Sequence, residues 1–254
     1  MFNEICRVLK NKEVVQGIYE MELLSQCIAD AAEPGQFLHI RINEGLYPLM
    51  RRPISIHKVD RAHGAVSILY HIAGIGTSEL SRLKEGSNLD VMGPLGKGFP
   101  VLKDRKCAVV GGGIGTAPLL ELTRNLENSD AYLGYRNTIY KVDAFDEVCQ
   151  EVFVATEDGS FGHHGFVTDK LQENIRKYDV VYSCGPKPML KKVMELCQSN
   201  GVECYVSLEE RMGCGIGACL VCACKIKGED GQWHHKKACK DGPVFDAREV
   251  EFDA

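Results

Sequence analysis

The sequence has 254 residues, 44% of them hydrophobic and 26% charged, with a net charge of −5 and a pI near 5.9. That length can bury a sizeable core in two or three compact units, and a mildly acidic chain without a basic run argues against nucleic-acid binding. No apolar run approaches the roughly 18 residues of a membrane span. The opening Met1–Arg7 stretch also lacks a secretory pattern, so a cytoplasmic protein with reduced thiols is expected.

The first hundred residues read as β-structure. Tyr19–Leu23, Leu38–Ile42 and Val66–Ile72 alternate apolar and polar residues, as half-buried strands do. Pro34-Gly35, Asp60–Gly64 and Gly93–Gly96 punctuate them as turns. With one short helix near Ser78–Leu83, the pattern predicts a small antiparallel barrel over residues 1–100.

Within it, Met50–Ile56 contains Arg52-Pro53-Ile54-Ser55, and Gly74-Ile75-Gly76-Thr77 follows. An arginine offers a planar fork of donors for phosphate, and a serine can hydrogen-bond a ring nitrogen. Gly76 and Thr77 can supply an amide and a hydroxyl to a second phosphate. An exposed arginine pair beside an ordinary turn would read the same way.

A new pattern starts near residue 101. Cys107–Val110 is wholly apolar, as expected of a strand covered on both faces. Apolar strands at Val152–Ala155, Val180–Ser183 and Val202–Val206 follow, with helical stretches near 117–126, 167–175 and 188–199 between them. The alternation predicts a parallel, doubly wound α/β unit over 101–206.

Its first strand enters Gly111-Gly112-Gly113-Ile114-Gly115-Thr116, where glycines let the backbone approach a pyrophosphate. Pro118 stands where the usual dinucleotide fingerprint has its last glycine. Cys184-Gly185-Pro186 ends another predicted strand, at the sheet edge where ligands of such folds bind. Tight strand–helix packing and a buried core thiol are the plainer explanations for each motif alone.

Residues 207–254 are cysteine-rich with few signs of regular structure. Of the twelve cysteines, Cys6, Cys107 and Cys204 sit in apolar runs as small hydrophobes. Cys214, Cys219, Cys222 and Cys239 instead follow the spacing C-x4-C-x2-C…C of plant-type [2Fe-2S] ferredoxins. Thiolates are soft donors that suit iron, and the glycines at 213, 215 and 217 let the loop aim amides at the sulfurs. A structural zinc is the competing occupant, although zinc sites favour paired short spacings. Cys224 is a spare that could replace Cys222.

In this order the motifs resemble the ferredoxin–NADP reductase superfamily, with Arg52–Ser55 matching its flavin motif and Gly111–Pro118 and Cys184–Pro186 its nicotinamide motifs. Leu208–Cys219, Ala238–Phe245, Glu157–Gly162 and Gly165–Asp169 look like the electron-transfer subunit of NAD-dependent dihydroorotate dehydrogenase. The resemblance implies three cofactors: FAD, a [2Fe-2S] cluster, and NAD as electron acceptor or donor. Arg52 would hold the FAD pyrophosphate, Pro53, Ile54 and Ser55 its isoalloxazine region, Leu69, Tyr70 and His71 its cleft, and Gly76 and Thr77 its phosphates. Position 54 is Ile where the superfamily has a stacking tyrosine.

It further implies that Gly111, Gly112, Gly113, Gly115 and Thr116, with Gly185 and Pro186, face the dinucleotide. Ser55 and Cys184 would then flank the reacting rings, and Cys214, Cys219, Cys222 and Cys239 would ligate the cluster. Arg136 could meet a 2′-phosphate, although the resemblance favours NAD. The implied partner is an FMN-containing catalytic subunit that oxidises dihydroorotate in pyrimidine synthesis, in a heterotetramer of two subunits of each kind. Electrons would leave its FMN singly, cross the cluster and gather on FAD for hydride transfer to NAD+. A hydrogenase, sulfide dehydrogenase or transhydrogenase subunit shares this architecture, and a zinc-stabilised non-catalytic module is the rival from another class.

Overall fold

A computed structural model describes residues 1–42, 45, 47–228 and 230–252. Strands β1 (Phe2–Val15), β2 (Ile18–Leu24), β3 (Phe37–Arg41), β4 (Arg52–Asp60), β5 (Ala65–His71) and β6 (Asn88–Leu95) close into an antiparallel barrel in the order β1-β2-β5-β4-β3-β6. Two short helices, α1 (Gln26–Ala31) and α2 (Ile75–Ser81), accompany it. The predicted alternation explains the closure: Met21, Leu23, Leu38, Ile40, Ile54, Ile56, Val66 and Ile68 point inward to one core.

The second unit is a seven-stranded sheet in the order β10-β9-β8-β7-β11-β12-β15. It comprises β7 (Cys107–Gly112), β8 (Ser129–Tyr135), β9 (Val152–Thr156), the short β10 (His163–His164), β11 (Val180–Cys184), β12 (Glu203–Ser207) and β15 (Val244–Asp246). All pairings are parallel except β12 with β15. The apolar run of β7 serves both faces. Ala108 and Val110 pack with α5 (Val167–Asn174) and α6 (Lys187–Asn200), while Cys107 and Val109 pack with α3 (Ala117–Thr123) and α4 (Val142–Asp146).

The order in which strands are added reverses between the parallel neighbours β7 and β11. β8 and β9 lie to one side of that pair and β12 to the other, which opens a crevice at the carboxyl ends of the pair.

Polar ties fix the barrel against this sheet. The His57 ring nitrogen Nδ1 lies 2.8 Å from the Ala117 carbonyl, and the Val59 amide donates to the buried Glu121 carboxylate at 2.9 Å. Lys10 and Lys141 both bind Glu20, at 2.9 and 3.0 Å. Burial pushes the Glu20 carboxyl up, but the two ammonium groups outweigh it and bring it down to about 2.

The C-terminal segment has more regular structure than its sequence suggests. β13 (Ala223–Lys227) and β14 (Trp233–Lys237) form an antiparallel hairpin, and β15 adds an antiparallel edge to the α/β sheet. Lys97 on the barrel side donates its amide to the Gly242 carbonyl. The segment is therefore wedged between both units. No helix among the described residues is long and apolar enough to cross a membrane.

Candidate functional site

The flavin-type motif lies on β4, whose residues alternate in direction. Ile54 is 9% exposed and packs into the barrel core, so Pro53 and Ser55 present the outward side chains. The Ile54 side chain thus points to the barrel core, and its backbone lies between the two outward-facing neighbours. Arg52 and Gly76 converge, because a methyl on Gly76 would lie 2.8 Å from the Arg52 guanidinium carbon. Thr77 Oγ1 accepts from the Ala73 amide at 2.9 Å and organises the same turn.

On β5, Tyr70 is buried in the barrel core and donates its hydroxyl to Asn11 Oδ1 at 2.9 Å. Its side chain is therefore committed inward, which leaves its backbone at the outer face. Its neighbours lie on the other face: Leu69 packs against the α/β unit and His71 is exposed.

The two nicotinamide-type motifs meet at the crevice. Cys184 is in register with Gly111 on adjacent parallel strands. A methyl on Gly115 would lie 2.6 Å from both the Cys184 carbonyl carbon and Gly185 Cα, so only glycine permits this approach. Thr116 is buried and donates its hydroxyl to the Gly113 carbonyl at 3.0 Å, bracing the turn. Burial, opposed by Ser207 and aided by Glu209, pushes the Cys184 thiol up to about 12, so it stays neutral. Arg136 is exposed just past β8, and its carbonyl accepts from the Asp158 amide at 3.3 Å.

A cavity of 580 Å³ joins these parts: Arg52 and Pro53 from the barrel, Gly185 and Pro186 from the sheet edge, and Arg211 and Met212 from the cysteine-rich segment. The flavin-type strand and the end of β11 thus share one cleft of a size suited to a cofactor, and Met212 in its lining packs against Cys222 and Cys239.

The four spaced cysteines gather in the loop ahead of β13 and just after β14. Cys214 and Cys219 sulfurs are 3.3 Å apart, and the Cys219 amide donates to Cys214 Sγ at 3.3 Å. Buried Cys222 and Cys239 pack together and their thiols interact. The Gly217 amide donates to Cys239 Sγ at 3.2 Å. Burial raises the Cys214 thiol, but the amides of Cys219, Ile216 and Ala218 and the Cys219 thiol outweigh it and lower it to about 6. Burial and Cys222 raise Cys239 to about 12.

These sulfurs make two pairs. Among the described residues no three His, Cys, Asp or Glu side chains gather as a single-ion site. Two thiol pairs with amides aimed at their sulfurs fit a two-iron cluster better than one tetrahedral zinc. Cys224 is turned away into another part of the core, where its thiol meets the Lys236 carbonyl at 3.3 Å. Cys222 is thus the partner of Cys239.

One residue that the sequence did not flag lies beneath this loop. His39 on β3 is fully buried, and neither ring nitrogen makes a hydrogen bond of good geometry among the described residues, the Arg51 and Cys214 carbonyls being the backbone acceptors near the ring. Burial and the nearby Arg51 guanidinium lower its pKa to about 4, against the pull of the Arg51 and Cys214 carbonyls, so the ring is neutral at pH 7. An unmatched buried polar group of this kind costs about 1–3 kcal/mol. Only the alternation of β3, with Leu38 and Ile40 inward, could have hinted that His39 faces outward.

Around the loop, Ile216, Leu220 and Val221 are exposed, at 46%, 71% and 57%. Such an apolar patch beside a thiol cage is a candidate protein contact.

The profile of a family described as the iron-sulfur cluster binding domain of dihydroorotate dehydrogenase B matches residues 209–251. The chain is 42% identical over 253 residues to the dihydroorotate dehydrogenase B (NAD(+)) electron transfer subunit of Bacillus velezensis, covering 96% of each chain. It is 43% identical over 249 residues to the protein of that name from Caldanaerobacter subterraneus, covering 97% of this chain and 98% of the other. Among solved structures it superposes, with a TM-score of 0.87 and 31% identity over 98% of this chain and 90% of the other, on a chain of an NADH-dependent reduced ferredoxin-NADP oxidoreductase described for flavin-based electron bifurcation. A ferredoxin reductase of carbazole 1,9a-dioxygenase, 20% identical with a TM-score of 0.64 over 79% of this chain and 66% of the other, shares the fold.

Proposed function

Since this chain belongs to the family of dihydroorotate dehydrogenase B electron transfer subunits, we propose that it is the oxidoreductase subunit linking a dihydroorotate-oxidising, FMN-containing partner to NAD+ in pyrimidine synthesis. The observation that carries this reading is the meeting of a flavin-type strand and a nicotinamide-type strand end around one cleft, with Met212 of its lining packed against Cys222 and Cys239. FAD exchanges electrons singly or in pairs, a [2Fe-2S] cluster singly and NAD+ only as hydride, so the three together convert one-electron transfer into two-electron transfer.

The residues divide that work. Arg52, with Gly76 and Thr77, holds the FAD pyrophosphate, an assignment supported by the packing of the Arg52 guanidinium over the Gly76 backbone. Pro53 and Ser55 face the ring system, with Leu69 and His71 outward on the neighbouring strand. Gly111, Gly112, Gly113, Gly115 and Thr116 cradle the dinucleotide, and Cys184, Gly185 and Pro186 close over its reacting end. The neutral Cys184 thiol packs there without adding a charge. Cys214 with Cys219, and Cys222 with Cys239, each hold one iron, while the amides of Cys219 and Gly217 stabilise charge on the sulfurs.

In functional terms residues 1–100 bind FAD, 101–206 bind NAD and 207–254 bind the cluster, although β15 lends an edge strand to the middle unit. The exposed Ile216, Leu220 and Val221 face the partner in a heterotetramer of two subunits of each kind. Twelve free cysteines suit a reducing cytoplasm.

Purification of the chain co-expressed with its candidate catalytic subunit tests this. The complex should carry FMN, FAD, iron and acid-labile sulfide and reduce NAD+ with dihydroorotate, and Cys219→Ser should stop that reaction while NADH still bleaches FAD. A complex that turns over normally with Cys219→Ser removes the cluster from the route.

A further inference from the structure

The buried imidazole of His39 faces the cysteine loop rather than the barrel interior. On β3 its neighbours Leu38 and Ile40 fill the barrel core, and Phe37, two residues away on the same outer face, packs with Cys222 and Cys239. Across the strands His39 is in register with Pro53 of the flavin-type motif on one side and Met92 on the other. It therefore stands at the seam between the flavin strand and the thiol cage.

Contact with the loop is made through Gly215, between the first two cage cysteines. A methyl at Gly215 would lie 3.0 Å from His39 Cε1 and 3.1 Å from Cγ, and nearest of all to Nδ1. Gly215 has φ +73°, so the chain there adopts a conformation open to glycine and rests its bare Cα on the nitrogen edge of the ring. A neutral imidazole carries one N–H donor and one acceptor. Here neither nitrogen makes a well-formed hydrogen bond to the protein, with only the Arg51 and Cys214 carbonyls near the ring, in a place without solvent. A side chain needed only for packing would be served as well by leucine, which leaves no donor stranded. Gly215 directly follows Cys214, the first of the four cysteines assigned above to an iron–sulfur centre.

We propose that His39 is a positioning residue for that centre, donating its imidazole N–H to one of the centre's sulfurs. The bond holds the Cys214–Gly215 turn against β3. It also stabilises the more negative, reduced centre, which makes the centre easier to reduce. The inference rests on the cluster assignment proposed above.

The test uses the intact complex with its catalytic subunit, reduced with dithionite. With histidine labelled by 15N, pulsed electron paramagnetic resonance of the wild-type complex should show nitrogen coupling from one histidine to the reduced centre. His39→Leu should abolish that coupling and shift the centre's reduction equilibrium at least tenfold toward the oxidised form, about 59 mV for one electron. His39→Asn, which places an amide near the position of Nδ1, should recover most of the shift. An iron–sulfur signal without histidine coupling, or an unchanged potential in His39→Leu with full iron content, overturns the inference and leaves the cluster assignment standing. A wild-type complex without any such signal overturns the cluster assignment itself, and this inference with it.

Discussion

Gly115→Ala is the sharpest single perturbation of the nicotinamide crevice. The added methyl would lie 2.6 Å from the Cys184 carbonyl carbon and from Gly185 Cα, whereas ordinary contact begins near 3.4 Å. Both obstacles are backbone, consecutive residues at the end of β11, so no side chain can swing aside. The two strand ends must part by close to an ångström. Overpacking of this kind costs about 1–3 kcal/mol. For a chain of this length each kcal/mol lowers the melting temperature by about 2–4 °C. The same separation pulls Cys184–Pro186 off the glycine turn, so KM for NADH should rise by about tenfold or more, the factor that about 1.4 kcal/mol of lost binding produces. Calorimetry and steady-state NADH oxidation with an artificial acceptor measure the two effects, with FAD and iron content unchanged as the control. A variant with wild-type melting temperature and KM would refute the packing argument and, with it, the crevice as the dinucleotide site.

Arg52→Ala should weaken FAD binding by removing a charge-assisted phosphate contact worth about 1.5–3 kcal/mol, read as flavin loss on gel filtration. Cys222→Ser should strip iron and sulfide from the protein, whereas Cys224→Ser should keep both, since Cys224 faces the Lys236 carbonyl in another part of the core. The Glu20 carboxyl, lowered to about 2 by Lys10 and Lys141 despite its burial, is ionised in the folded protein and protonates more readily once unfolded. Its contribution is therefore complete above pH ~4.5 and is lost as pH falls toward 2. Glu20→Gln should lower stability at pH 7 and show a weaker acid dependence between those limits in urea titrations.

Much of this architecture is legible in one dimension because its signals are local. Period-two alternation in Tyr19–Leu23 and Leu38–Ile42 marks barrel strands, and the unbroken apolar run of Cys107–Val110 marks a strand covered twice. The hairpin of β13 and β14 is not legible there, because Trp233 is followed by four polar residues and the strand pairs on the strength of its partner. For Ile54 and Tyr70 the motif located the strand correctly, but which face each side chain takes depends on the closed barrel.

Cysteine spacing and glycine placement were determined by the sequence alone, because a metal loop and a phosphate turn are short, and their chemistry follows from residue type and separation. What the tertiary structure decided is which distant pieces share a space. It set Cys184 beside Gly115, paired Cys222 rather than Cys224 with Cys239, and left His39 dry and without a well-formed hydrogen bond under the cysteine loop. Those outcomes depend on strand order, register and burial, which arise only when segments far apart in the chain pack together and exclude water from the groups between them.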